Sequence, residues 1–371
     1  MNYYIIAGEA SGDLHGSNLI KQLALLDNKA NFCCWGGDMM QVAGGKLVKH
    51  YRELAFMGFA EVIRNLPTIL KNIKFCKEDI TNYNPDVLIL IDYPGFNLRI
   101  AEWGKSKGYK IIYYISPQVW AWKANRVKKM KLCIDKMLVI LPFEKDYFKN
   151  KWNWDVEYVG HPLVEVINEY KKKLNDSNNL NAKLPIVALL PGSRKQEIEK
   201  KLPIMLDVCK AFPHYQFIVA KAPGQDDSFY TQFLISYNNV TTISNGTYSL
   251  LMQAKAALVT SGTATLETAL FGVPEVVCYK SSNLSYQIGK RLIKIKFICL
   301  VNLIMDKLVV KELIQNEMTT QNLVEELKLL LEDTAKMKQI EQDYLSLNNL
   351  LSQGGDASAK AAKSIYAFLT A

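Results

Sequence analysis

Three turns in this chain set glycine, hydroxyl and charged residues directly behind short apolar runs. The first reads Gly8-Glu9-Ala10-Ser11-Gly12-Asp13-Leu14-His15-Gly16. The second is Pro191-Gly192-Ser193-Arg194-Lys195-Gln196-Glu197, and the third Ser261-Gly262-Thr263-Ala264-Thr265-Leu266-Glu267. Glycine after a strand lets the backbone turn tightly and come close to a ligand, while a following helix aims its free N–H groups at the same spot. The first turn lacks the dinucleotide-binding spacing and a phosphate-loop lysine, so it reads as a ligand-facing loop or as a plain strand-to-helix turn. In the second, loop amides, a hydroxyl and two adjacent cations suit a diphosphate. In the third, small residues admit phosphate to a helix N-terminus. Glu267, four residues past Thr263, falls one turn deeper on the same face. A carboxylate there can take both hydroxyls of a ribose; it can equally be a favourable charge near a helix start, worth about 0.3–1 kcal/mol. Two such turns in one half favour a nucleotide site.

Asp92 closes the apolar run Val87 to Ile91 and precedes Tyr93-Pro94-Gly95-Phe96-Asn97. A carboxylate at the mouth of a buried parallel strand faces the ligand crevice of such folds and can take a proton from a sugar hydroxyl. The alternative is an Asp that only starts the next helix. Ser116-Pro117-Gln118-Val119-Trp120-Ala121-Trp122-Lys123 follows the run Ile111 to Ile115. Its tryptophans suit sugar faces, though core packing is usually the better reading of such a pair.

The elements that must position these residues are short and β-rich: Tyr3 to Ala7, Val87 to Ile91, Ile111 to Ile115, Ile186 to Leu190, Phe217 to Ala220, Ala256 to Thr260 and Val276 to Tyr279. Separated by helical stretches, they predict buried parallel strands in two doubly wound sheets. At 371 residues the chain is long enough for two domains. The expected boundaries are a first domain over 1–167, a polar Asn- and Lys-rich linker over 168–184, a second domain over 185–345, and a helical segment over 346–371. That last segment returns to the first domain or to a partner subunit. Helical periodicity runs from Leu323 to Leu351 before Gln353-Gly354-Gly355-Asp356 interrupts it.

Lys and Arg outnumber Asp and Glu by 45 to 36, a net charge of +9, which favours anionic partners without selecting one. Seven cysteines without a CxxC pair read as buried free thiols, and four histidines without ligand spacing argue against a metal. The N-terminus is not a signal peptide and no run of 18 apolar residues exists. The expectation is a soluble or membrane-surface protein. The stretch Tyr286 to Ile298, if helical, puts Ile288, Leu292 and Ile295 on one face and Lys290, Arg291 and Lys294 largely on the other. It reads as a membrane-surface element or as an ordinary helix packed on its own core.

Taken in order, Gly8–Asp13, Ile91–Asn97, Ser116–Trp122, Leu190–Arg194, Ser261–Ala264, Val301-Asn302-Leu303-Ile304, Val310–Gln315 and the helix after Gly354-Gly355 resemble the lipid A disaccharide synthase family. The matches cover nearly the whole chain. The resemblance implies an α/β fold of GT-B type: two Rossmann-like domains with a cleft between them and a C-terminal helix. It also implies an inverting transfer from UDP-2,3-diacylglucosamine to 2,3-diacylglucosamine 1-phosphate, giving a β-1,6 disaccharide 1-phosphate and UDP. On this reading Asp92 is the catalytic base. Gly192, Ser193, Arg194, Gly262, Thr263, Glu267 and Asn302 hold UDP and the donor sugar. Glu9, Ser11, Gly12, Asp13, Gln118 and Trp120 line the acceptor side. No cofactor, metal or nucleic acid is implied. The expected location is the cytoplasm, peripherally on the cytoplasmic leaflet of the inner membrane, with homodimerisation open. Many members carry an acidic residue where Gly95 stands, which places more weight on Asp92. The rival is another GT-B enzyme acting on UDP-N-acetylglucosamine, a transferase or 2-epimerase. A binding protein for nucleotide sugars or RNA ranks behind it.

Overall fold

In the computed structural model, residues 1–54, 66–173, 180, 182–222, 225–292, 295–353 and 355–371 are described. The chain forms two compact units. The first comprises Met1–Pro162 together with Leu351–Ala371, the second Leu163–Leu350. The change of unit precedes the expected 168–184 linker, whose first residues continue the helix Pro162–Lys172. Residues 174–179 and 181 of that stretch lie outside the described residues.

The first unit is built on seven parallel strands: β1 (Asn2–Ala7), β2 (Asn31–Gly36), β3 (Lys46–His50), β4 (Val87–Ile91), β5 (Lys110–Tyr114), β6 (Lys136–Val139) and β7 (Glu157–Tyr158). Their order is β3-β2-β1-β4-β5-β6-β7. Successive side chains point to opposite faces, and both faces are covered. Tyr4, Ile6, Leu88, Leu90 and Tyr113 pack on one side; Tyr3, Ile5, Val87, Ile89, Ile91 and Tyr114 pack on the other. Each fully buried aliphatic side chain here contributes about 1.5–3 kcal/mol. The C-terminal helix Ala357–Thr370 closes the second of these cores with Ala361, Ala362 and Ile365. Asp356 caps it by accepting from the Ala359 amide.

The second unit has six parallel strands: β8 (Ile186–Leu190), β9 (Gln216–Lys221), β10 (Val240–Ser244), β11 (Ala254–Thr260), β12 (Glu275–Tyr279) and β13 (Lys311–Ile314). Their order is β10-β9-β8-β11-β12-β13. In both sheets the winding reverses beside the first strand, at β1/β4 and at β8/β11. Ligand crevices of open α/β sheets form at the carboxyl ends of such strands.

The helical periodicity expected from Leu323 to Leu351 is present, while the helix expected from Tyr286 to Ile298 is shorter. The periodic stretch from Leu323 to Leu351 is two helices, Thr320–Glu332 and Thr334–Ser352. They divide at Asp333, whose carboxylate accepts from the amides of Ala335 and Lys336 and so starts the second one. The helix expected over Tyr286 to Ile298 is Asn283–Leu292, so Ile295 is not on its face, and Lys294 lies outside the described residues. All seven cysteines are buried and unpaired.

Candidate functional site

The second unit carries a cavity of about 310 Å³ at the carboxyl ends of β8, β9 and β11. Its walls are the two glycine turns foreseen in the sequence. Gly192 sits at φ +114, a conformation that glycine adopts without strain. A Cβ there would also meet the Glu197 carboxylate at 2.8 Å. Gly192 and Ser193 face Ser261, Gly262 and Thr263 across the cavity. The helices Lys195–Val208 and Thr263–Phe271 start from these turns. Their first amides and positive dipole ends suit phosphate oxygens. Thr260 adds a buried hydroxyl that has no hydrogen-bond partner among the described residues, and Lys221 adds a cation from the end of β9.

Glu267 lines the cavity one helical turn in from Thr263. Burial raises its carboxyl pKa, opposed by a hydrogen bond from the Tyr248 hydroxyl at 2.9 Å. The Tyr248 ring is itself held by the rings of Tyr170 and Phe271. Glu267 is therefore a fixed acceptor at the inner end of a phosphate-sized turn.

Two residues expected here stand elsewhere. Arg194 does not line the cavity; it is exposed and ion-pairs at 3.3 Å with Glu197, which does. Asn302 is fully buried and spends its amide on the backbone and on one carboxylate. It donates to the Val310 carbonyl and to Glu312, and it accepts from the amides of Val309 and Val310. It therefore acts as a brace. Glu312 also accepts from the Ile298 amide, and the Ile298 carbonyl accepts from Ser261, a cavity residue.

In the first unit the exits of β1, β4 and β5 are adjacent. Asp92 and Tyr93 both take positive φ, at 44° and 48°, and Ile115 at the end of β5 takes 66°. Strained backbone of this kind costs about 1–3 kcal/mol per residue and persists only where the surroundings enforce it. Here the enforcement is visible. The Asp92 amide donates to Tyr114, and its carbonyl accepts from the Tyr113 hydroxyl and from Asn97. The Tyr93 ring lies over Gly8, where a Cβ would collide with it at 2.3 Å. Burial first, and Glu9 second, push the Asp92 carboxyl up to about 7. It is thus poised to gain or lose a proton near neutrality.

Of the expected acceptor-side residues, Glu9 is near enough to Asp92 for its charge to raise that carboxyl, and Ser11 and Gln118 are exposed. Asp13 is a structural cap instead. Buried, it accepts from the amides of Gly37, Met39 and Met40 and so starts the helix Asp38–Val42. Gly12 is buried where a Cβ would stand 3.0 Å from that of Ala7, so its role is close helix-to-strand packing. His15 is buried in the helix Ala10–Leu26, and that burial holds it neutral.

Trp120 is fixed by Glu144, a residue the sequence did not single out. The Trp120 indole donates to Glu144 at 3.2 Å, and its ring stands edge-on to Phe143. Burial raises the Glu144 carboxyl to about 8 against hydrogen bonds from the Leu141 amide and Trp120. Its sequence signal was an acid three residues into a helix that opens with Pro142, the place of a capping acid.

The geometry of Glu9 makes a test available. A base works only when deprotonated, so activity relying on Asp92 rises as pH passes through about 7. Glu9→Gln removes a negative charge that raises this pKa, so the acid limb of the kcat/KM profile should move to lower pH. A limb that stays in place or moves up would separate Glu9 from Asp92.

Each unit is thus a doubly wound, Rossmann-like α/β domain, one with a phosphate-sized cavity and one with a carboxylate of raised pKa at a strand mouth. Solved structures of similar fold include the UDP-GlcNAc 2-epimerase from Neisseria meningitidis (TM-score 0.67, 13% identity, 100% of both chains). The glycotransferase of kitacinnamycin is another (TM-score 0.68, 13% identity, 99% of both chains). The family model for lipid-A-disaccharide synthetase matches residues 3–366. Lipid-A-disaccharide synthase from Geobacter metallireducens is 38% identical over 95% of this chain and 93% of its own. Lipid-A-disaccharide synthase 1 from Legionella pneumophila strain Lens is 41% identical over 84% and 83%. The chain belongs to the lipid-A-disaccharide synthetase family. Its function is synthesis of the lipid A disaccharide, from a UDP-sugar donor and a glucosamine-phosphate acceptor.

Proposed function

We propose that the enzyme moves 2,3-diacylglucosamine from its UDP donor to the 6-hydroxyl of 2,3-diacylglucosamine 1-phosphate, with the second unit binding UDP and the first the acceptor. The observation that carries this reading is Asp92, whose carboxyl is raised to about 7 at a strand mouth. As carboxylate it takes the hydroxyl proton while the acceptor oxygen attacks the anomeric carbon. The bond from that carbon to the UDP oxygen breaks, and UDP keeps the electron pair. One displacement inverts the α-linked donor to a β-1,6 linkage.

In the second unit the diphosphate lies against Gly192, Ser193, Gly262 and Thr263, and Glu267 takes the ribose hydroxyls. Fixed N–H groups aimed at developing charge stabilise the departing UDP without reorganisation. Arg194 exchanges Glu197 for the diphosphate when the nucleotide arrives, since both ends of that ion pair lie at the same turn. Glu9 and Trp120 border the acceptor. Titration calorimetry tests the nucleotide half: UDP should bind and UMP more weakly, because UMP lacks the second phosphate. Equal binding of both would remove the diphosphate assignment. A 2-epimerase would convert UDP-N-acetylglucosamine without an acceptor, and absence of that conversion separates the two enzyme readings.

Acyl-chain substrates reside in a bilayer, so the enzyme works peripherally on the cytoplasmic leaflet, as a monomer or homodimer. Among the described residues no helix is long and apolar enough to cross a membrane. Lys290 and Arg291 remain exposed in the helix Asn283–Leu292. Sedimentation with anionic vesicles should fall as salt is raised, and should fall in K290Q/R291Q. Binding that ignores salt, or that is equal in the variant, would remove this helix as the docking element.

A further inference from the structure

The first unit has a second cavity, of about 300 Å³, lined by Pro94, Gly95, Arg99, Glu102, Arg126 and Lys129 among others. It opens two and three residues beyond Asp92, a reach of at most about 11 Å along the backbone. Three cations against one carboxylate leave a surplus of two positive charges. Lys129 is committed to Glu102 at 3.0 Å. Among the described residues neither Arg99 nor Arg126 pairs with a carboxylate; Arg126 lies over the Trp122 ring at 5.8 Å. Arg126 is also within electrostatic reach of the buried Tyr113 hydroxyl, which donates to the Asp92 carbonyl. Tyr113 is thus a common neighbour of Arg126 and of the Asp92 backbone.

We propose that this cavity takes the phosphate monoester of the acceptor sugar, held by Arg99 and Arg126. The assignment rests on the reading of the first unit as the acceptor-binding one. A phosphate monoester carries about −1.5 to −2 at pH 7, which matches the surplus, and guanidinium forks bind its oxygens bidentately. At about 300 Å³ the cavity is at the small end of ligand pockets. It has room for a phosphate and the adjoining ring edge, not for acyl chains. Holding the sugar by its phosphate limits where the 6-hydroxyl can lie, since that group is borne on C5, two ring bonds from the phosphorylated C1, and Asp92 is two residues before the cavity wall.

The test compares kcat/KM for 2,3-diacylglucosamine 1-phosphate with that for its phosphate-free counterpart, reading UDP release. Wild type should prefer the phosphorylated acceptor at least tenfold. In R99Q/R126Q that preference should collapse toward one while UDP affinity and melting temperature stay at the wild-type values. A preference that survives in the double variant overturns the proposal. So does a variant that loses binding to anionic phospholipid vesicles while keeping the preference, since the site would then serve a lipid headgroup. Saturation-transfer NMR with glucosamine 1-phosphate, and glucosamine as control, keeps the test independent of turnover. Signal for the phosphate sugar in wild type alone supports the site. Equal signal in the variant contradicts it, even if the transferase reading itself has failed.

Discussion

Asp92→Asn is expected to lower turnover by roughly a hundredfold to ten-thousandfold, the range that a positioned general base contributes, with UDP affinity unchanged. The amide is nearly isosteric, so the tight turn at positive φ should persist, held by the backbone bonds to Tyr114, Tyr113 and Asn97. What is lost is the ability to accept a proton near neutral pH. Rapid-quench turnover and UDP calorimetry on the same preparation separate the two effects. Activity within tenfold of wild type would remove Asp92 as the base. The pH profile gives an independent reading, because the acid limb near 7 should vanish from whatever activity remains.

The second large effect is expected at Glu267. Glu267→Ala should weaken UDP binding by about 1.5–3 kcal/mol, the worth of a hydrogen bond to a charged group. That is a loss of about tenfold to more than a hundredfold in affinity. Competition by inorganic diphosphate should be unaffected, because the amides of the Gly192 and Gly262 turns are untouched. Tyr248→Phe should give a smaller loss, since it frees the carboxylate without deleting it. Wild-type UDP affinity in Glu267→Ala would place the ribose elsewhere. Equal losses for UDP and diphosphate would mean that the substitution had disturbed the cavity as a whole.

The central strands were legible because full burial makes them nearly continuous apolar runs, as in Ile186–Leu190 and Val87–Ile91. The strands missed are mostly at edges. β3, β10 and β13 are only partly buried and mix lysine, threonine and glutamate with their apolar residues, so no run stands out. Local spacing found Gly192, Gly262, Thr263 and Glu267, since each lies just beyond a recognisable strand. The same rule applied to β9 would have found Lys221. It did not find Thr260 or Glu197, whose part depends on what crosses the cavity from another turn.

Asp13 and Asn302 have structural work that motif reading did not foresee. Both stand in stretches that match the family, yet each uses every near neighbour to hold a backbone segment. The direction of a side chain follows from tertiary packing, which spacing does not encode. The raised pKa of Asp92 has the same origin. Burial is the larger cause and the charge of Glu9 the second, and Glu9 follows β1 while Asp92 follows β4, its paired neighbour in the sheet.

The most direct measurement supplies the purified protein with UDP-2,3-diacylglucosamine and 2,3-diacylglucosamine 1-phosphate, with a metal chelator present. Disaccharide and UDP are followed together by mass spectrometry. The predicted result is one β-1,6 disaccharide 1-phosphate for each UDP released, dependent on both lipids and insensitive to the chelator. UDP appearing without disaccharide, or product formed when either lipid is withheld, would contradict the account.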